Sequence, residues 1–299
     1  MTRSSGSMSR AVSLAVVFVV LSSISTWASG PARELRVCGD PDNLPFSNDR
    51  LEGFENKIVE IIARELKASV QYTWLSQRGS FIGKSLDAGK CDVVITVPSS
   101  YRRVLTTRPY YRSTYVFVYP KDKLKLKSFD DPVLRTVRIG IHGFGEAGTS
   151  PVTIALADRG IKDRIVGYTI LDTPDSPKAK IIDAVAAGDI DVAIVWGPFG
   201  GYFANREPVK LEVVPVNSTS QITSVPFAFD ISMGVRKGDI ALKTELEAAL
   251  DRRQHEVTKV LEKYRVPLIA TASSSPSAAL PGGQQDKPLN TVSDLKDRR

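Results

Sequence analysis

The loop His142 to Gly148, HGFGEAG, sets Gly143, Gly145 and Gly148 at the spacing that cradles a dinucleotide pyrophosphate, after a predicted strand and before a predicted helix. The chain around it offers too few strands for a full dinucleotide-binding fold. An anion-accepting or structural turn is therefore the better expectation, and no cofactor is expected. Asp40, Asp42 and Asp49 gather as metal-binding carboxylates do, but the loop lacks a turn glycine and Glu52 falls one place late for a bidentate calcium ligand. A solvated turn follows, with no metal expected. The two histidines, His142 and His255, stand far apart, and neither HExxH nor GxSxG occurs, so zinc hydrolysis and serine acyl transfer lack their parts. Glu146 and Asp172 are the acids that tempt as a cleft acid or base; neither has a visible partner, and no catalytic residue is assigned.

Cys38 and Cys91 are the remaining reactive pair, each inside a strand-like run (LRVC and CDVVI). In an oxidising compartment they suggest one disulfide; two buried thiols are the alternative.

These residues need elements to hold them. Apolar β-type runs at 35–38, 70–75 and 91–97 alternate with helical spacing at 55–67 and 80–88, the pattern of a parallel sheet. Between the first strand and helix, the stretch 40–53 is dense in Asp, Asn, Pro and Ser, which forbids continued strand. It reads as a rim at the carboxyl end of a strand, where open α/β sheets bind ligands. An apolar, aromatic run at 113–119 leads into a charged connector at 121–127. A second alternation follows: strands at 137–141, 165–170, 192–195 and 211–216, with helices at 151–159, 177–187 and 198–205. Ser150 and Pro151 form a capping pair for the first of those helices. A strand at 227–235 and a long helix at 240–264 complete the ordered part. From 271 onward Ser, Pro, Ala, Gly and Gln dominate, a composition that cannot repay ordering, so 271–299 is expected to be a disordered tail.

The chain has 299 residues, 42% of them hydrophobic and 24% charged, enough for two lobes with real cores. Arg3 and Arg10 precede an apolar run at 11–24 and then small residues, the order of a secretory signal; residues 1–28 are assigned to it. Export to the periplasm follows, with no membrane span once the signal is cleaved. The formal charge of +7 falls to +4 when Arg3, Arg10 and the tail's net +1 are set aside. With its cations scattered, the chain is not expected to bind nucleic acid.

LRVCGDPDNLPFS, GFENKIVEIIARELK, LDAGKCDVVI, RPYYRSTYVFVYPKD and GVRKGD, in that order, resemble the signatures of bacterial extracellular solute-binding proteins of family 3, over about 35–267. The resemblance implies an α/β, two-lobed periplasmic binding protein type 2 fold with a central cleft and two crossover strands. It places one lobe at 34–120 plus 224–270 and the other at 121–223. A closer resemblance, carried by VCGDPDNLPFSN, GFENKI, VLTTRPYYRSTYVFV and VWGPFGGYFA, is to the subgroup encoded beside quinoprotein alcohol dehydrogenases. Within it, the run VPSSYRRVLTTRPYYRSTYVFV is more similar to the members paired with a lanthanide-dependent methanol dehydrogenase than to their calcium-enzyme counterparts.

In the amino-acid-binding members of the family an arginine holds the ligand carboxylate and a second-lobe acid holds its ammonium. Arg103 is the nearest match to the first. At the acidic position DVAIVWGPFGGYF offers Trp196 and Gly197, which would leave an ammonium without a partner. What replaces it is aromatic: Phe46, Trp74, Phe81, Tyr101, Tyr110, Tyr111, Trp196, Phe199, Tyr202 and Phe203 lie at or after strand ends, where the resemblance places the cleft. With Asp40, Arg103, Gly148 and Thr149 they form the expected site, a groove for a protein segment. The resemblance thus implies a non-catalytic periplasmic accessory whose partner is a pyrroloquinoline-quinone methanol dehydrogenase. The alternative is the receptor of an ABC transporter for a small solute.

Overall fold

The computed structural model describes residues 1–2, 33–77, 79–143, 150–169, 179–216 and 225–270. Residues 3–28 of the expected signal segment, the tail and the lobe boundary at 223/224 lie outside them.

β1 (Glu34–Gly39) lies between β4 (Ser69–Trp74) and β5 (Val93–Pro98), parallel to both, as the strand-helix alternation predicts. Before β4, the polar loop holds a small hairpin, β2 (Asp42–Asn43) with β3 (Ser47–Asn48), whose two-residue strands are too short for a sequence period to register. α1 (Phe54–Glu65) covers the sheet and packs against α6 (Ile240–Lys263). The helix expected at 80–88 is a single turn, α2 (Phe81–Lys84). Gly83 weakens the turn from within, and Ser85, the residue that follows it, leaves helical geometry at φ −113° and ψ −90°. β6 (Leu105–Thr106) and a 3₁₀ turn (Pro132–Arg135) are further short pieces that the sequence pattern did not reveal.

The decisive strand is β7 (Tyr111–Pro120). Residues 111–114 pair antiparallel with β12 (Ala228–Val235), and residues 115–120 pair with β10 (Val192–Trp196) and β11 (Leu211–Pro215). One strand therefore belongs to both halves of the molecule. On the far side, β10 is followed by β8 (Ile139–Gly143) and β9 (Ile165–Thr169), all parallel, giving the path β4-β1-β5-β12-β7-β10-β8-β9 among the described residues. α3 (Pro151–Asp158), α4 (Lys180–Ala187) and α5 (Gly197–Ala204) flank this second half. Ser150 caps α3 through its hydroxyl, which accepts from the Thr153 amide at 3.2 Å.

Each half has its own apolar core. Leu35, Val37, Ile58, Ile62, Leu246 and Leu261 pack between the first half of the sheet and α1/α6. In the second half, the period of two along β7 sends Phe117 and Tyr119 to one face and Val116 and Val118 to the other, so both faces are covered. The opposite face of the first half carries a smaller cluster around Cys38 and Cys91, which are joined in a disulfide with Cα atoms 5.5 Å apart. That settles the pairing the sequence left open. No described helix is long and apolar enough to cross a membrane.

Candidate functional site

The first lobe presents an open cavity of about 360 Å³ at the carboxyl ends of its strands. Phe81, at the start of α2, Thr96, near the end of β5, and Tyr101, in the turn after it, line the cavity together with Gln77, Val97 and Arg103. The Tyr101 amide donates to Pro98 O at 2.9 Å, which fixes the turn, yet the residue is 38% exposed. Arg103 does not wait free for a carboxylate: its Nη2 pairs with Asp87 at 2.9 Å on the exposed rim.

The second lobe offers a narrower space of about 60 Å³, lined by Tyr115, His142, Ser150 and Trp196 among others. Trp196 is half-buried at the end of β10 and meets Tyr115 at 5.5 Å and Phe229 at 5.7 Å, both rings on crossover strands. The His142 ring stands on Phe199 at 4.8 Å, and burial lowers its pKa to about 4, so it faces the space as a neutral imidazole.

The remaining expected residues do other work. Asp40 is buried, accepting from the Asp42 amide at 3.0 Å and the Gln77 amide at 2.8 Å; it ties the β1 loop to the segment after β4. Phe46 packs on Phe54 at 5.2 Å, and Trp74 stacks on Tyr72 at 4.5 Å. Tyr110 is buried, its hydroxyl donating to Ile95 O at 3.1 Å and lying 3.3 Å from the Thr96 hydroxyl. Tyr111 belongs to the same core. Phe199 and Tyr202 are buried as well, and Phe203 leans on both, at 4.7 and 5.0 Å. The picture of ten aromatics in one groove is corrected on this point. Of the expected set, Phe81, Tyr101 and Arg103 share one cavity and Trp196 lines another, while Tyr110, Phe199 and Tyr202 are packing residues, because strand ends near the hinge are themselves interior. Gly148, Thr149, Glu146 and Asp172 lie outside the described residues.

One titratable group beside the cavity was missed. Glu55 is buried in the first turn of α1, beneath Thr96, and burial raises its pKa to about 7, opposed by the Thr96 hydroxyl and reinforced by Asp40. Tyr110 and Tyr111 crowd it, and Tyr111 is buried beside it. The signal was in the sequence: Glu55 stands three and seven places before Ile58 and Ile62, on the apolar stripe of the helix.

The model of the bacterial extracellular solute-binding proteins, family 3, matches residues 35–266. Protein MoxJ of Methylorubrum extorquens is 32% identical over 260 residues, covering 82% of this chain and 85% of that protein. Among solved structures, the periplasmic binding protein XoxJ from Methylobacterium extorquens AM1 is similar with a TM-score of 0.65 and 38% identity, covering 79% of this chain and all (100%) of that one. MxaJ from Methlophaga aminisulfidivorans MPT is similar with a TM-score of 0.66 and 28% identity, again covering 79% of this chain and 100% of the other. The fold is the α/β, two-lobed periplasmic binding protein type 2 arrangement, with β7 and β12 as its crossover strands.

Proposed function

Because the chain belongs to the bacterial extracellular solute-binding proteins, family 3, we propose that it is a periplasmic binding protein turned from solute capture to holding a segment of another protein. The partner in this reading is a pyrroloquinoline-quinone methanol dehydrogenase, the lanthanide-dependent kind, whose maturation or activation it assists without catalysing a step itself. Likeness to proteins named MoxJ and XoxJ supports the reading.

The observation that carries it is the cavity wall made by Phe81, Tyr101 and Arg103. A free amino acid needs an unpaired cation for its carboxylate and an acid for its ammonium. Here Arg103 is paired with Asp87, and the position expected to supply the acid is Trp196. Both charges of the ligand would be desolvated with weak compensation, which costs several kcal/mol on the order-of-magnitude scale for unpaired buried ions. An aromatic wall with an exposed ring suits an apolar side chain on a protein surface instead.

The test is capture from periplasmic extract with the mature chain as bait. Recovery of the dehydrogenase, weakened by Phe81→Ala and Tyr101→Ala, is the expected result. Recovery indifferent to both substitutions moves the contact elsewhere. A single metabolite that strongly raises the melting temperature, with no dehydrogenase recovered, restores the transport receptor.

A further inference from the structure

Helix α5 belongs to the second lobe, yet two of its glycines lie against the backbone of β7 and of the segment that follows α6. Gly197 and Gly201 stand four residues apart and so share a face of the helix. A Cβ on Gly197 would lie 2.3 Å from the Thr114 carbonyl oxygen of β7 and 3.1 Å from Pro267 Cγ; one on Gly201 would lie 2.0 Å from the Arg265 carbonyl oxygen. Only glycine permits such an approach. Arg265 to Pro267 is the chain that leaves α6, so the two lobes meet there with backbone carbonyls as the nearest groups to both glycines and the Pro267 ring and Ser113 hydroxyl beside them.

Aromatic contacts flank this seam. Tyr202 of α5 stacks on Tyr264 at 5.7 Å with the rings 9° from parallel, and the Arg206 guanidinium lies over Tyr202 at 3.4 Å from the ring centre. The Tyr264 hydroxyl donates to Glu52 O in the loop before α1. The segment is in turn pinned to the crossover strand β7, because the Ser113 hydroxyl donates to Pro267 O at 2.7 Å and the Ile269 amide to Arg112 O at 3.1 Å. Trp196, just before α5, is wedged against Tyr115 and Phe229 on the two crossover strands.

We propose that α5 and the segment 264–269 form a clamp that fixes the angle between the lobes, so that the cleft stays at one opening instead of closing on an occupant. A rotation about β7 and β12 that changes the opening has to slide or roll α5 over residues 265–267. Contact there is already backbone to backbone, and close-packed surfaces resist continuous deformation. The clamp goes beyond the accessory role and does not depend on it, since Gly201, Tyr202 and Tyr264 line neither cavity.

The test uses the mature chain with spin labels on cysteines placed at exposed Lys84 in the first lobe and exposed Lys162 in the second, read by double electron–electron resonance. Wild-type background gives a single narrow distance. Gly201→Ala, which forces a Cβ into the Arg265 carbonyl, shifts or broadens it; Tyr264→Leu combined with Arg206→Met broadens it by removing the stack without adding bulk. Circular dichroism confirms that each variant is folded, and if Gly201→Ala is not, the double variant carries the comparison. A broad or two-peaked distribution in the wild-type background, or folded variants that superimpose on it, overturns the clamp.

Discussion

Trp196 and Phe229 meet nearly edge to face, ring centres 5.7 Å apart, and so join the last residue of a second-lobe strand to the crossover strand that returns to the first lobe. The contact makes Trp196 a hinge residue as much as a cleft residue, because its indole also meets Tyr115 on the other crossover strand. Its removal is therefore a stability experiment before it is a binding one.

Trp196→Ala is expected to lower the unfolding free energy by about 2 kcal/mol, less than for a fully buried ring because the indole is half-buried. Tyr101→Ala, at an exposed ring, is expected to stay within about 0.5 kcal/mol of wild type. Urea denaturation of the two variants separates the roles; equal losses would mean that Tyr101 is part of the packing after all.

Glu55 makes stability fall as pH rises. Its folded pKa, about 7, lies above the ordinary carboxyl value of 4.5, so its contribution is fully present below pH 4.5 and is lost by the time pH has passed 7. The loss is on the order of 3 kcal/mol. Glu55→Gln should remove this falling contribution and leave the variant more stable than wild type at pH 8, as read by urea denaturation across that range. Parallel profiles for the two proteins would mean the carboxyl is not held neutral.

His142 acts in the opposite sense. Its folded pKa of about 4 lies below the ordinary 6.5, so its contribution is present above pH 6.5 and is lost as pH falls through 4. Between 4.5 and 6.5 the two slopes offset each other, and the wild-type profile should be nearly flat there. Glu55→Gln then uncovers a decline toward acid, and His142→Gln uncovers a decline toward neutral pH. A wild-type profile dominated by one slope would show that the other group is more solvated than its surroundings indicate.

Reduction of the Cys38–Cys91 disulfide opens a loop with a sequence separation of 53 residues. In the chain-entropy account that is worth about 4 kcal/mol, so the Cys38→Ser/Cys91→Ser protein should melt well below wild type. The deficit should vanish when wild type is compared under reducing conditions. Equal melting of oxidised and reduced wild type would mean that the cluster of Ile82, Leu86, Val94 and Val97 holds the two strands without the bond.

The order and type of the long elements were legible in the sequence, because β5 and β7 are short, nearly continuous apolar runs, as strands covered on both faces are, while α1 and α6 keep apolar residues at helical spacing. The same pattern hid the short pieces β2, β3 and β6, which span too few residues to show a period.

What the sequence determined by itself was the class of fold and the family; that Cys38 and Cys91 pair was decided by the tertiary structure. Which aromatics face a cavity was decided only by the tertiary structure. Phe81 and Phe199 look alike as residues after strand ends, but one lines an open wall and the other supports His142 from within, since exposure depends on which chain segment returns to cover the ring. WGPFGGYFA reads as a short helix with no sign of what its glycines face until the backbone of residues 265–267 is laid against it. Gly201 and Arg265 stand far apart in sequence, and a contact at such separation leaves no local period, so their approach became visible only when the chain had folded back on itself.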